Sequence, residues 1–150
     1  MSNSSKETRI LYCKGREEVF LTKERIIQTG LQYLGTPYVF NAPPFQTSCF
    51  DCSSFIQYIF SQHGIYLPRS SRQQFHAGTP IPLQNIQRGD LLFFTNKARK
   101  NRTGIAKIGH VGLYMGNNQI LHTYRQGKMV AISPLRPYWI TMLVGARRVI

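Results

Sequence analysis

The side chains best equipped for chemistry in this chain are Cys52 in FDCSSFIQYIF, His110 in GHVG and His122 in ILHT. A thiolate is a strong nucleophile, but a thiol is mostly protonated near neutral pH and needs help to ionise. That help comes from an imidazole that takes the proton and from a third polar group that fixes the imidazole's tautomer and ring angle. One thiol and two imidazoles are therefore enough for nucleophilic attack on a carbonyl, provided the fold brings them together. Read singly, each has a plainer account. Cysteine is among the most buried residue types, and an isolated histidine is usually a satisfied core or surface imidazole.

The elements that must position them can be read from periodicity. Phe50 to Gly64 is predicted as an amphipathic helix, because Phe55, Ile56, Ile59 and Phe60 form one apolar stripe. Asp51 is its N-cap, and Gly64 with Pro68 beyond it is the stop signal. Cys52 then lies in the first turn, where the positive end of the helix dipole is expected to lower its pKa. From Gly89 the pattern turns strand-like, with runs at Asp90–Phe94, His110–Met115, Gln119–Tyr124, Met129–Ile132 and Met142–Arg148, and turns at Gly116–Asn118 and Gln126–Gly127. A three-residue loop at Gly116–Asn118 sets Met115 opposite Gln119 and Gly112 opposite His122. His110 and His122 are then diagonal neighbours on one face, roughly 7–8 Å apart at the backbone. A two-residue loop would slip the register and send the rings to opposite faces.

Residues 1–21 are expected to form an N-terminal arm, disordered to about Thr8, with short apolar patches at Arg9–Cys13 and Val19–Leu21. A helix capped by Thr22 runs to about Leu34, buries Ile27, Leu31 and Leu34, and ends at Gly35–Pro37. Asn41–Cys49 is a loop around two prolines, Arg69–His76 a short helix capped by Ser70 or Ser71, and Gly78–Arg88 a connection rich in proline and polar residues. Helices first and an antiparallel meander afterwards predict an α+β fold, with 22–150 as one catalytic domain.

At 150 residues, 42% of them hydrophobic, the chain fits a single domain with a sizeable core. Nineteen Lys and Arg against six Asp and Glu give a net charge of +13, which calls for a polyanionic partner. No RRM, KH or helix-turn-helix signature accompanies it, so nucleic acid is not the expected one. Five basic residues, Lys97, Arg99, Lys100, Arg102 and Lys107, cluster between two strands. A loop there rims the cleft and contacts an anionic wall polymer by charge, or is a solvated, mobile loop. Cys13, Cys49 and Cys52 are an odd set and make no disulfide framework. The Cys49–Cys52 CxxC as half a zinc site lacks a second ligand pair, and as a redox pair it has Phe50 and Asp51 where small residues are wanted. No metal or cofactor is expected. No apolar run is long enough to span a bilayer, and Met1–Lys6 is polar without a signal-peptide core. An extracellular place reached by a route without such a signal, or a cytoplasmic role, both fit.

The segments TPYVF, FDCSSFIQYIF, GIYLPRSSRQQ, RGDLLFF and IGHVGLYMGNNQILHT, in that order and spacing, resemble the NlpC/P60 family of papain-like cysteine peptidases from about Thr22 onward. The resemblance implies a reduced papain-like fold in which N-terminal helices pack on an antiparallel sheet of about five to six strands. It also implies cleavage of bacterial cell-wall stem peptides, commonly between D-γ-glutamate and a diamino acid, without a cofactor. Carried over by motif, Cys52 matches the nucleophile, His110 the base and His122 the third polar residue. Tyr38 matches the tyrosine whose hydroxyl helps bind the oxyanion. Asp51, Ser53 and Ser71 match positions that hold the free amine end of a stem peptide, although N-capping accounts for Asp51 and Ser71 equally. Asn41, Ala42 and the prolines replace the usual glycines, Cys49 stands where glycine is common, and Ser54 replaces the glycine of DCSG, which touches specificity more than chemistry. Cys49 can also be read as a resolving thiol for Cys52. A poly-γ-glutamate hydrolase, an acyltransferase or transglutaminase-like enzyme on the same scaffold, and a non-catalytic basic module that binds anionic wall polymers are the rival readings.

Overall fold

A computed structural model describes residues 3–150. Helix α1 (Asn3–Leu31) is followed by α2 (Cys52–Ser61), the short α3 (Ser71–Gln74) and strands β1 (Thr79–Ile81), β2 (Leu91–Phe94), β3 (His110–Gly116), β4 (Gln119–Thr123), β5 (Val130–Pro134) and β6 (Leu143–Arg148). The strands form one antiparallel sheet in the order β1-β6-β2-β3-β4-β5. The expected α+β architecture is therefore present, with six strands.

The sheet is covered on both faces. Phe55, Ile56, Ile59 and Phe60 of α2 are at most 1% exposed and pack with Phe93, Val111, Leu113 and Leu121. Full burial of one such side chain contributes roughly 1.5–3 kcal/mol, so this stripe is what holds α2 to the sheet. On the opposite face Leu92, Phe94 and Ile120 lie under Leu135, Trp139 and Ile140 of the segment joining β5 to β6. The last turns of α1 join the first layer through Ile26 and Ile27, and Gly30 sits so close to Leu121 that a Cβ would lie 2.7 Å from its Cδ2.

Three sequence expectations are corrected. Residues 3–21 are not a partly disordered arm but the first part of α1, and Thr22 is no cap: mid-helix, its hydroxyl donates back to the Glu18 carbonyl at 2.9 Å. Side chains 4–21 are exposed, so no core imprints a helical stripe on that sequence. The disorder expected at Met1 and Ser2 lies outside the described residues. Leu34, expected in the core, is 46% exposed, because α1 ends at Leu31 and the chain turns to Gly35, whose N–H donates to the Val130 carbonyl. Within Gly78–Arg88, Thr79–Ile81 pairs with β6 as an edge strand, a place where Pro80 is tolerated.

The β3–β4 hairpin also differs in an instructive way. Gly116 pairs with Gln119, leaving a two-residue loop of Asn117 and Asn118, both with positive φ (49° and 61°), as a type I′ turn requires. That loop alone would slip the register, but Met115 bulges out of the ladder between Tyr114–Ile120 and Gly116–Gln119. The extra residue restores the alternation, so Gly112 still faces His122: a Cβ on Gly112 would lie 3.2 Å from the His122 Cβ. Arg88 holds the bulge by donating to the Met115 carbonyl at 2.6 Å. Among the described residues no helix is long and apolar enough to cross a membrane.

Candidate active site

Cys52 is the first residue of α2. Asp51 caps the helix, its Oδ1 accepting from the Ser54 N–H at 2.8 Å while the Ser54 hydroxyl accepts from the Asp51 N–H at 3.0 Å. This capping box fixes the backbone on either side of the thiol. Asp51 is buried and also receives both guanidinium nitrogens of Arg69, at 3.0 and 2.6 Å. Arg69 further donates to the Ser53 hydroxyl (2.9 Å) and the Ala42 carbonyl (2.7 Å), tying the entrance loop to the start of α2.

The helix tip opens into a cleft of about 980 Å³ that Cys52, His110, Tyr38, Asp51, Ser53 and Ser71 all line. His122 lies behind His110, fully buried. His110 and His122 share a face of the sheet, with His110 Nε2 2.8 Å from His122 Nδ1, and His122 Nε2 2.8 Å from the Ser133 hydroxyl on β5. With Nε2 engaged, Nδ1 is the His110 nitrogen left for a thiol proton. Accepting there requires His110 Nε2–H to donate to His122 Nδ1, and His122 Nε2–H to donate to Ser133. The three groups thus form a one-directional chain.

The surroundings keep both partners neutral. Burial, then the Asp51 charge, pushes the Cys52 thiol up to about 11, against the backbone N–H groups of Val111 and Ser53 and the Arg69 guanidinium. The expected lowering by the helix end is thus outweighed: the N-terminal end carries a capping carboxylate, and the thiol is half-buried at the cleft wall. Burial and the neighbouring His122 hold His110 well below the usual histidine value, and burial takes His122 down to about 3. Tyr38 lies close enough to feel the thiolate; burial first, then the charges of Cys52 and Asp51, raise its pKa, while Arg125 lowers it.

Several participants carried no sequence signal. Trp139 packs over His110 (ring centroids 5.0 Å apart) and edge-on to His122 (4.8 Å), and Tyr124 stacks on His122 at 4.9 Å with its own ring 5.0 Å from Trp139. Ser133 is a lone serine in VAISP, and only the β4–β5 register, which pairs Ile120 with it, puts it on the face of His122. Arg69 belongs to LPRSS, where nothing in the local spacing marks it as the partner of Asp51. Ser70, not Ser71, caps α3, accepting from the Gln73 N–H at 3.2 Å. Of the basic loop, Lys97 and Arg99 line the cleft. Cys49 and Cys52 are both free thiols. Among the described residues no group of three or more His, Cys, Asp or Glu could hold a metal ion.

The NlpC/P60 family model matches residues 35–148. The chain is 37% identical over 124 residues to a gamma-DL-glutamyl hydrolase of Bacillus subtilis (strain 168), covering 82% of this chain and 28% of that protein. It is 40% identical over 114 residues to a gamma-D-glutamyl-L-lysine dipeptidyl-peptidase of the same organism, covering 76% and 36%. Among solved structures it is similar to the peptidoglycan hydrolase RipB of Mycobacterium tuberculosis, with a TM-score of 0.75 and 28% identity, covering 90% of this chain and 68% of that one. The chain thus spans about a third of the length of the two Bacillus relatives.

Proposed function

The chain belongs to the NlpC/P60 family, and from that premise we propose that it is a cysteine peptidase that hydrolyses γ-glutamyl amide bonds in bacterial cell-wall stem peptides. The observation that carries this reading is the 2.8 Å His110–His122 hydrogen bond behind a cleft that also contains Cys52 at a helix start. Two relatives, a γ-glutamyl hydrolase and a γ-glutamyl-lysine peptidase, support the choice of bond type.

The reaction starts from a neutral thiol and a neutral imidazole. Substrate displaces water from the cleft and places its carbonyl carbon over Cys52 Sγ. The thiol proton passes to His110 Nδ1 as Sγ attacks, and the imidazolium is stabilised through its Nε2–H by His122. The tetrahedral oxyanion is bound by the Cys52 backbone N–H, at the positive end of α2, and by the Tyr38 hydroxyl. Collapse breaks the C–N bond, and His110 returns its proton to the leaving amine. Water, deprotonated by His110, then cleaves the thioester to release the acid and restore the thiol. Trp139 and Tyr124 keep both rings at their angles and keep water from the His110–His122 bond.

The test is incubation with purified muropeptides, with the products read by mass spectrometry. Wild-type protein should yield a free γ-glutamyl carboxylate, and Cys52→Ala, verified as folded by circular dichroism, should yield none. Cleavage that survives in Cys52→Ala removes the thiol mechanism.

A further inference from the structure

The cleft around Cys52 has a one-sided charge. Five cationic side chains line it, Arg69, Arg72, Lys97, Arg99 and Arg125, against a single carboxylate, Asp51. That carboxylate is saturated: Oδ1 accepts from the Ser54 N–H, the Ser53 hydroxyl and Arg69, and Oδ2 from Arg69 at 2.6 Å. The other acids do not help. Glu24 is paired with Arg88 and Asp90 with Arg148, while Glu7, Glu17 and Glu18 lie on the exposed part of α1. Among the described residues no unpaired carboxylate side chain therefore faces the cleft, and a substrate ammonium entering it would meet no free countercharge.

Two of the remaining cations are held in place. Arg72 donates to the Ile108 carbonyl at 3.1 Å and Arg99 to the Ala106 carbonyl at 3.0 Å, one contact each, so most of each fork is uncommitted. Arg125 lies over the Phe40 ring at 5.2 Å, beside Tyr38. A preorganised guanidinium fork matches a carboxylate in geometry as well as charge.

We infer that the cleft is selective for a free carboxylate on the substrate, the α-carboxylate of the γ-glutamyl residue next to the scissile amide, and that it does not recognise a free amino end. This rests on the γ-glutamyl reading above and adds the group that is recognised. The required ligand chemistry is a γ-linked glutamate with its α-carboxylate exposed, which a stem peptide or a γ-glutamyl polymer can present.

Binding to the Cys52→Ala protein tests this without turnover. The probes are fluorescent L-Ala-γ-D-Glu-L-Lys peptides, all with the lysine C-terminus amidated, with the glutamate α-carboxyl free or converted to the carboxamide, each with a free or acetylated N-terminus, and an oligo-γ-glutamate. Amidation should weaken binding about tenfold, the effect of losing one charge-assisted contact. Acetylation should leave it unchanged, and raising NaCl should weaken only the carboxylate forms. Arg72→Gln and Arg125→Gln together should erase the difference between carboxylate and carboxamide. Tighter binding of the oligomer assigns the carboxylate to a polymer, and tighter binding of the tripeptide assigns it to a stem peptide. Equal binding of carboxylate and carboxamide, a requirement for the free amine, or no binding at all overturns the inference. Carboxylate-selective binding without cleavage by wild-type protein would leave it standing and sink the hydrolase reading instead.

Discussion

His110 and His122 sit on adjacent strands with Nε2 and Nδ1 2.8 Å apart, and His122 is itself held by Ser133 at 2.8 Å on the next strand. Orientation of the His110 ring is thus passed across three strands. Ser133→Ala removes the outer contact and frees the His122 tautomer, and it should lower kcat about tenfold with KM nearly unchanged. His122→Ala should cost about a hundredfold. Steady-state kinetics on one γ-glutamyl peptide checks both, and a Ser133→Ala effect confined to KM would remove this positioning role.

The pH behaviour follows from the neutral pair. With His110 held well below 6.5, activity that needs it unprotonated persists as the pH drops through 6.5 and declines only below that. With the thiol near 11, iodoacetamide labelling of Cys52 should keep rising with pH toward 11. A labelling plateau around neutrality would instead reveal a resting thiolate–imidazolium pair.

His122 also links stability to pH. Its folded value of about 3 lies below the usual 6.5, so the unfolded chain takes up the proton first. This contribution is complete above pH 6.5 and is lost as pH falls from 6.5 toward 3, by about 1.4 kcal/mol per pH unit. Urea midpoints measured across that window should fall for wild type and be flatter for His122→Gln.

Deleting Met115 removes the bulge and leaves the type I′ turn intact. Gly116 then pairs with Gln119 and Tyr114 with Ile120 in an unbroken ladder, so Gly112 still faces His122 and both imidazoles keep their face of the sheet. We expect the deletion to retain cleavage activity. Loss of activity with β-sheet circular dichroism retained would mean that the bulge itself, not the pairing it preserves, is needed.

Two glycines of α1 should respond oppositely to alanine. At Gly30 the new Cβ meets Leu121 at 2.7 Å, an overpacking cost of about 1–3 kcal/mol that exceeds the helix-propensity gain of about 1 kcal/mol. At Gly15 nothing lies within 4 Å, so only the gain remains. Gly30→Ala should lower the urea midpoint and Gly15→Ala should leave it unchanged or raise it.

The sequence by itself determined the local and periodic features. The α2 stripe, its Asp51 cap, five of the six strands and the identities of Cys52, His110 and His122 were legible because each is written in spacing along the chain. Features without such a repeat were not. Residues 3–21 bury no face, so their helix left no apolar period, and β1 is a three-residue edge strand containing a proline. Only the tertiary structure decided that a bulge at Met115 offsets the two-residue turn, that Ser133 and Trp139 close around the imidazoles, and that Arg69 takes up Asp51. These depend on register and on contacts between residues far apart in the chain. The thiol's pKa belongs with them: a helix start favours the thiolate, but burial beside a carboxylate outweighs it, and burial is a property of the folded whole.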